Sequence, residues 1–144
     1  MRLFPPAHTF VRQALTADKL AGRSISKGSL VLIVPWVLHR HRRLWDRPDA
    51  FDPERFAQER AASRHPFAYV PFGGGPRICL GASFGMMEAV LVLAGLAQHY
   101  RLHLAPGQRI APLASVTLRP RYGMTMILER RVPGEGPVLA ERSQ

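Results

Sequence analysis

The sequence predicts an α+β chain, in which a small meander of strands leads through a long loop to one long helix and a C-terminal β-hairpin. Three observations predict it. The apolar run Ser29–Val34, SLVLIV, is bounded by Gly28 and Pro35 and has the length and β-branched content of a strand. Between Ser63 and Ile78 the breakers Pro66, Pro71, Gly73, Gly74, Gly75 and Pro76 exclude any regular element. From Cys79 to His99 the apolar residues Leu80, Phe84, Met87, Leu91 and Ala94 recur at three- and four-residue spacing, which is helical.

The elements follow in order. Pro5 and Pro6 end whatever precedes them, because proline breaks a helix and restricts the residue before it. Val11–Leu15 and Ser24–Ile25 read as short strands around a turn at Ala21-Gly22, and Lys27-Gly28 is a second turn. Trp36–Arg43 has room for one or two helical turns. Asp46–Arg55 holds Pro48 and Pro53 and reads as an irregular loop, with a short helix expected over Ala57–Ala62. Phe67, Tyr69, Val70 and Phe72 interleave the breakers of the long loop, so it is structured; ordered loops of that length are usually functional. After the helix, Pro106-Gly107 turns the chain, and Val116–Leu118 and Met124–Leu128 read as strands meeting at Gly123. Residues 1–131 are expected to form the domain and 132–144 a disordered tail.

Composition narrows the function. The 144 residues are one domain's length, and 47% hydrophobic content excludes a disordered chain. The balance of 20 basic and 10 acidic residues gives +10. Lys19 and Lys27 are the only lysines, so the charge is largely arginine and follows the Ala-, Gly- and Pro-rich bias of a GC-rich coding sequence. No helix-turn-helix, zinc or aromatic RNA-binding signature accompanies it, so no nucleic acid is expected. One cysteine excludes an internal disulfide framework and a multi-cysteine zinc site. The apolar run Ala82–Ala97 contains Glu88 and two glycines and is shorter than the roughly 20 residues of a spanning helix. No signal peptide is visible, and a cytoplasmic protein without a membrane segment is expected.

The informative segment is Phe72-Gly73-Gly74-Gly75-Pro76-Arg77-Ile78-Cys79-Leu80-Gly81. A lone cysteine is either an inert core thiol or a reactive or ligating one. Here it ends a glycine-rich loop and opens the expected helix, whose N-terminus favours a thiolate. Gly73 and its neighbours let the backbone approach a planar ligand. Arg77 brings a fixed charge suited to a carboxylate, and Gly81 leaves room for a ring plane. Such a set suits a haem, with sulfur to iron and arginine to propionate. A buried free cysteine in a glycine-rich turn is the plain alternative. A phosphate loop is disfavoured, because its spacing and its Lys-Ser/Thr pair are absent.

The decapeptide resembles the haem-binding signature of the cytochrome P-450 superfamily, Phe-x-x-Gly-x-Arg-x-Cys-x-Gly, at Phe72, Gly75, Arg77, Cys79 and Gly81. Phe51–Phe56 resembles the family's Pro-Glu-Arg-Phe loop, and Trp36 to Pro48 the stretch before it. Arg2–Pro6 resembles the end of the helix carrying its Glu-x-x-Arg motif. The resemblance implies the C-terminal, proximal part of a mainly α fold. It implies haem b held by Cys79 as the iron's axial ligand, with Arg77 and Arg12 on the propionates and Phe72 packed against the ligand. Arg2, Glu54 and Arg55 would lock the core. The motif's glutamate would precede Met1, so Arg2 and Arg55 are expected to face each other without their carboxylate. Ala7–Phe10, Val116 and Thr117 would line a pocket for a small organic substrate. No catalytic residue of the distal side falls in this chain. The implied activity is that of a haem-thiolate monooxygenase, here as a truncated portion, a partial sequence or the product of a broken gene, whose own activity is not expected. An inactive haem-binding or structural remnant is the second reading. The implied electron donor is an acidic ferredoxin or flavin reductase, met by arginines such as Arg40, Arg42, Arg43 and Arg64.

Overall fold

The computed structural model describes residues 1–132, so the expected tail lies, beyond Val132, outside the described residues. In chain order the elements are β1 (Phe10–Gln13), β2 (Asp18–Leu20), β3 (Arg23–Ile25), β4 (Leu30–Ile33), α1 (Pro35–Leu38), α2 (Gln58–Ala62), α3 (Ala82–His99), β5 (Tyr100–Leu104), β6 (Pro112–Ala114), β7 (Leu118–Pro120) and β8 (Met126–Arg130). They fall into two compact units. One takes Met1–Cys79 with Pro112–Arg119, and the other Leu80–Ala111 with the described residues from Pro120 to Val132.

In the first unit β1 and β4 pair antiparallel, with Phe10 opposite Ile33 and Arg12 opposite Val31. Both strands alternate half-buried and exposed residues, as a strand with one covered face does. β2 and β3 form a hairpin through the predicted turn, where Ala21 and Gly22 take φ of 49° and 79°. Asp18-Lys19-Leu20 carries no apolar alternation, so β2 was not legible; its pairing with β3 creates it. β1 is correspondingly shorter than the expected Val11–Leu15.

Pro35 opens α1 at a position where its missing N–H costs nothing. The next loop contains one 3-10 turn, Pro53–Phe56, whose first N–H groups are capped by the Asp52 carboxylate at 3.1 Å from Glu54 N. The core behind it is small and aromatic. Trp45, Ala68 and Val70 are buried, and Phe56 packs edge-on against Tyr69 at 4.9 Å between centroids.

His39 is fully buried here, with 0% exposure. Its Nδ1–H donates to the Arg2 carbonyl at 3.3 Å, and the Val70 N–H donates to its Nε2 at 2.9 Å. The ring is therefore held neutral as a bridge between two backbone segments. Burial lowers its pKa from 6.5 to about 4, helped by the positive charge of Arg2. The unfolded state then binds the extra proton between these values, so stability falls as pH drops from about 6.5 to about 4, by about 3 kcal/mol in all. Urea unfolding at pH 7 and pH 4.5 measures this. His39→Gln should flatten that component, and an unchanged pH dependence in His39→Gln would remove His39 as its source.

In the second unit α3 begins at Ala82, three residues later than expected, with Gly81 as its N-cap. The Cys79 N–H is already bonded to the Phe72 carbonyl at 2.9 Å, which holds the cysteine in the loop. The helix is apolar around its circumference; Phe84, Met87, Val90, Leu91, Val92 and Leu93 all stay largely exposed. Such a helix is one made to be enclosed. By length and composition alone it is also long and apolar enough to cross a membrane, a measure that core helices of soluble proteins meet as well. The expectation that this run falls short of a span is corrected to that extent.

α3 runs directly into β5, which pairs antiparallel with β8, Leu102 opposite Leu128. The two C-terminal strands read from the sequence therefore do not pair with each other. A hairpin is present, but β6 and β7 make it, and Val116 and Thr117 form its turn rather than a strand. Strand partners are set by the fold and not by proximity to Gly123. The connection between β5 and β8 is fixed by Gln108, whose amide bonds the Ala105 and Thr125 carbonyls and accepts from the Thr125 N–H.

Candidate functional site

The cysteine loop is built as a closed turn. Phe72 O accepts from Cys79 N–H at 2.9 Å, Gly73 N–H donates to Val70 O at 3.1 Å, and Ile78 N–H donates to Gly75 O at 3.1 Å. The chain reverses through Gly73 and Gly75, at φ of 78° and 69°, the left-handed region that disfavours any side chain. Cys79 is free and exposed at the end of this turn, outside any helix. Its setting is thus a rigid hairpin-like loop, not the helix N-terminus expected from the sequence.

Arg12 reaches the same loop from β1. Its Nη2 lies 3.4 Å from the Arg77 carbonyl, and its guanidinium sits 5.1 Å from the Phe10 ring centroid. Two residues 65 positions apart, both expected at a carboxylate-bearing ligand, are brought together by the β1–β4 pair and the loop. Beside them lies a cavity of about 420 Å³, walled by Phe10, Ile33, Leu38, Phe67 and Val70, with Arg12, Gly74 and Gly75 at its border. A Cβ at Gly74 would stand 3.1 Å from the Phe67 ring, so a larger residue there makes that ring shift by a few tenths of an ångström. Phe67 and Gly74 were not singled out in the sequence; only the density of glycines and aromatics signalled them. Gly81 belongs to the second unit, where its carbonyl accepts the first helical bond from Gly85 at 2.8 Å.

The expected lock of Arg2, Glu54 and Arg55 is arranged differently. Arg2 is 5% exposed, and its guanidinium donates to the carbonyls of His39 at 2.7 Å, Pro48 at 2.5 Å and Ala50 at 2.8 Å. It stacks 5.0 Å from the Trp45 ring. Burial, then Arg55 and Arg40, push its pKa below the ordinary guanidinium range. Arg55 donates to the Arg47 carbonyl at 3.0 Å and has Asp52 at 3.8 Å. Arg55 still repels Arg2, as expected, but carbonyl dipoles compensate Arg2, and Asp52 with the Arg47 carbonyl compensates Arg55 in part. Glu54 is exposed, and the acid that gathers the local charge is Asp52, within 3.8 Å of Arg47, Arg55 and Arg60. Its signal was its place just before Pro53, the capping position of a turn. Arg40 and Arg64, expected on a docking face, are engaged inside the unit. Arg40 lies 3.7 Å from the Trp36 ring and bonds the Leu3 carbonyl; Arg64 lies 4.6 Å from the Trp45 ring and bonds the Arg55 carbonyl. Arg42 and Arg43 are exposed.

The donor set fits a haem. Arg12 at the Arg77 carbonyl, an apolar wall beside it, glycines that keep side chains off the loop and a thiol at the loop's end are residue types that suit a flat apolar ring bearing carboxylates. The Cytochrome P450 family model matches residues 1–126, and the chain belongs to the cytochrome P450 family, whose members are haem-dependent monooxygenases. It is 44% identical over 133 residues to cyclooctatin synthase of Streptomyces melanosporofaciens, covering 92% of this chain and 28% of that protein. Cytochrome P450 4V2 of Homo sapiens is 38% identical over 132 residues, 91% of this chain and 25% of that protein. Among solved structures, the cytochrome P450DA heme domain superposes with a TM-score of 0.85 at 32% identity, over 92% of this chain and 29% of that one. The chain thus spans little more than a quarter of the length of these relatives.

Proposed function

We propose that this chain supplies the haem-holding, proximal side of a haem-thiolate monooxygenase, with residues 1–131 as its part of the catalytic domain. The observation that carries the reading is the closed Phe72–Cys79 turn, which leaves the single thiol exposed with Arg12 beside Arg77. Cys79 would hold the iron of haem b. Haem, when bound, supplies reductive activation of O2 and insertion of one oxygen atom into a small organic substrate.

The chain's own residues act around that chemistry. Cys79 would hold the metal through its sulfur, and the bond from its N–H to the Phe72 carbonyl holds its backbone in place. Arg77 and Arg12 hold the two carboxylates. Gly73 and Gly75 would let the backbone approach the ring, Gly81 would leave it space, and Phe72 would pack against the cysteine. Val116 and Thr117, with Ala7–Phe10, face the substrate. Arg2, Asp52 and Arg55 keep the supporting core fixed. A ferredoxin or flavin reductase is the fitting electron donor, and the exposed Arg42 and Arg43 are the docking charges that remain free for it. A cytoplasmic location stays our reading, with Glu88, Gly85 and Gly95 placed along α3.

Arg77→Leu and Arg12→Leu test the propionate contacts. Each charge-assisted bond contributes about 1.5–3 kcal/mol where water is excluded, so each variant should release haem to a scavenging apoprotein roughly tenfold faster or more. Unchanged transfer rates in both would remove these arginines from the site.

A further inference from the structure

We propose that His8 is a positioning residue for the turn Ser115–Thr117 and so helps decide which ligands the pocket accepts; this rests on the monooxygenase reading above. β6 and β7 are three residues each, and a two-stranded hairpin of that size is marginal by itself. Its place in the first unit depends on what ties it down. The Leu118 N–H donates to the Pro6 carbonyl at 2.9 Å, and His8 Nε2 lies 2.9 Å from the Ser115 carbonyl. Those two bonds grip the turn on both sides of Val116 and Thr117. Val116 itself is 94% exposed, so its own packing does not hold it.

The His8 bond has a defined direction. A carbonyl only accepts, so Nε2 carries the hydrogen. Thr9 Oγ1 lies 3.0 Å from Nδ1 and, as a hydroxyl, can donate to it or accept from it. The imidazole is therefore oriented from its own neighbour and bonded across to the turn in either protonation state. The Pro6 contact is backbone to backbone and independent of residue type. The His8 contact is the one that a change of sequence alters. It joins the two segments, Ala7–Phe10 and Val116–Thr117, that the proposed function places against substrate.

The test compares His8→Leu, which removes the donor, with His8→Gln, whose amide nitrogen reaches about as far as Nε2, in the haem-loaded protein. Two readouts are taken: amide hydrogen exchange of the Ser115–Leu118 segment, and the dissociation constants of imidazole and 4-phenylimidazole. Imidazole needs only the iron, whereas the phenyl group also reads the pocket wall. In His8→Leu, exchange at Ser115 and Leu118, whose N–H groups bond the Thr117 and Pro6 carbonyls, should rise roughly tenfold, as expected for loss of one restraining hydrogen bond. The ratio of the two dissociation constants should shift by about fivefold or more, with imidazole itself little changed. His8→Gln should bring both readouts back toward the parent protein. Unchanged exchange in His8→Leu overturns the inference. So does faster exchange with an unchanged ratio, which would make the bond merely structural, and so does identical behaviour of the Leu and Gln variants. Failure of the parent protein to take up haem would instead sink the functional reading, and the inference with it.

Discussion

In the haem-loaded protein, Cys79→Ala should abolish the carbon-monoxide band that gives the cytochrome P450 family its name, while leaving the loop and the first unit folded. The two outcomes separate because of how the loop is made. The turn is closed by backbone bonds, Cys79 N–H to Phe72 O, Gly73 N–H to Val70 O and Ile78 N–H to Gly75 O, and none of them uses the sulfur. Alanine keeps all three. The thiol is exposed, so its loss leaves no cavity. It is also the chain's only cysteine, so no second thiolate can replace it from within the chain. The reduced, carbon-monoxide-treated protein is the measurement, with thermal unfolding of the same sample as the fold control. Persistence of the band in Cys79→Ala would show that another group holds the iron.

Arg2→Leu should cost about 3–5 kcal/mol of stability, because three carbonyls lose a charged donor and a buried acceptor left unsatisfied costs about 1–3 kcal/mol. That is a large share of the roughly 5–15 kcal/mol by which a domain is stable. The guanidinium serves three carbonyls from different parts of the unit, those of His39, Pro48 and Ala50, and covers one face of Trp45. Leucine fills some of the volume and satisfies none of the oxygens. The Arg2 backbone carbonyl would still accept from His39, so the loss reads the side chain and not the whole segment. Arg2→Lys should recover only part of it, because one ammonium cannot reproduce a planar fork aimed at three acceptors. Urea unfolding of the three proteins gives the comparison. A loss below about 1 kcal/mol in Arg2→Leu would mean that water replaces the guanidinium at little cost, and that Arg2 does not hold the core together.

Local signals in the sequence carried the elements that depend on nearest neighbours. Ser29–Val34 is apolar and β-branched and became β4; Ala21-Gly22 became a two-residue hairpin turn; the helix periodicity became α3. Each reflects a local preference, whether χ1 stiffness in a strand, positive φ at glycine or a long apolar run free of proline in the helix. The misses are pairings. β2 has no pattern of its own, and the partners of β7 and β8 are β6 and β5 rather than each other. The helix start moved from Cys79 to Ala82 because the Cys79 N–H is taken by Phe72, seven residues back, a bond that the periodicity does not contain.

The residues of the candidate site divide in the same way. Sequence alone determined the chemistry: one thiol, an arginine two positions before it, and glycines where only glycine tolerates the turn, as Gly73 and Gly75 prove to do. These depend on side-chain type and on spacing within ten residues. Tertiary structure alone decided which distant groups join them. It brought Arg12 to the Arg77 carbonyl, set Gly74 against Phe67, gave the charge-gathering role to Asp52 instead of Glu54, and turned Arg40 and Arg64 inward onto aromatic rings. An arginine's charge is visible in any sequence. Whether that charge meets a carbonyl, a ring or water depends on chain segments tens of residues away, and only the folded packing supplies them.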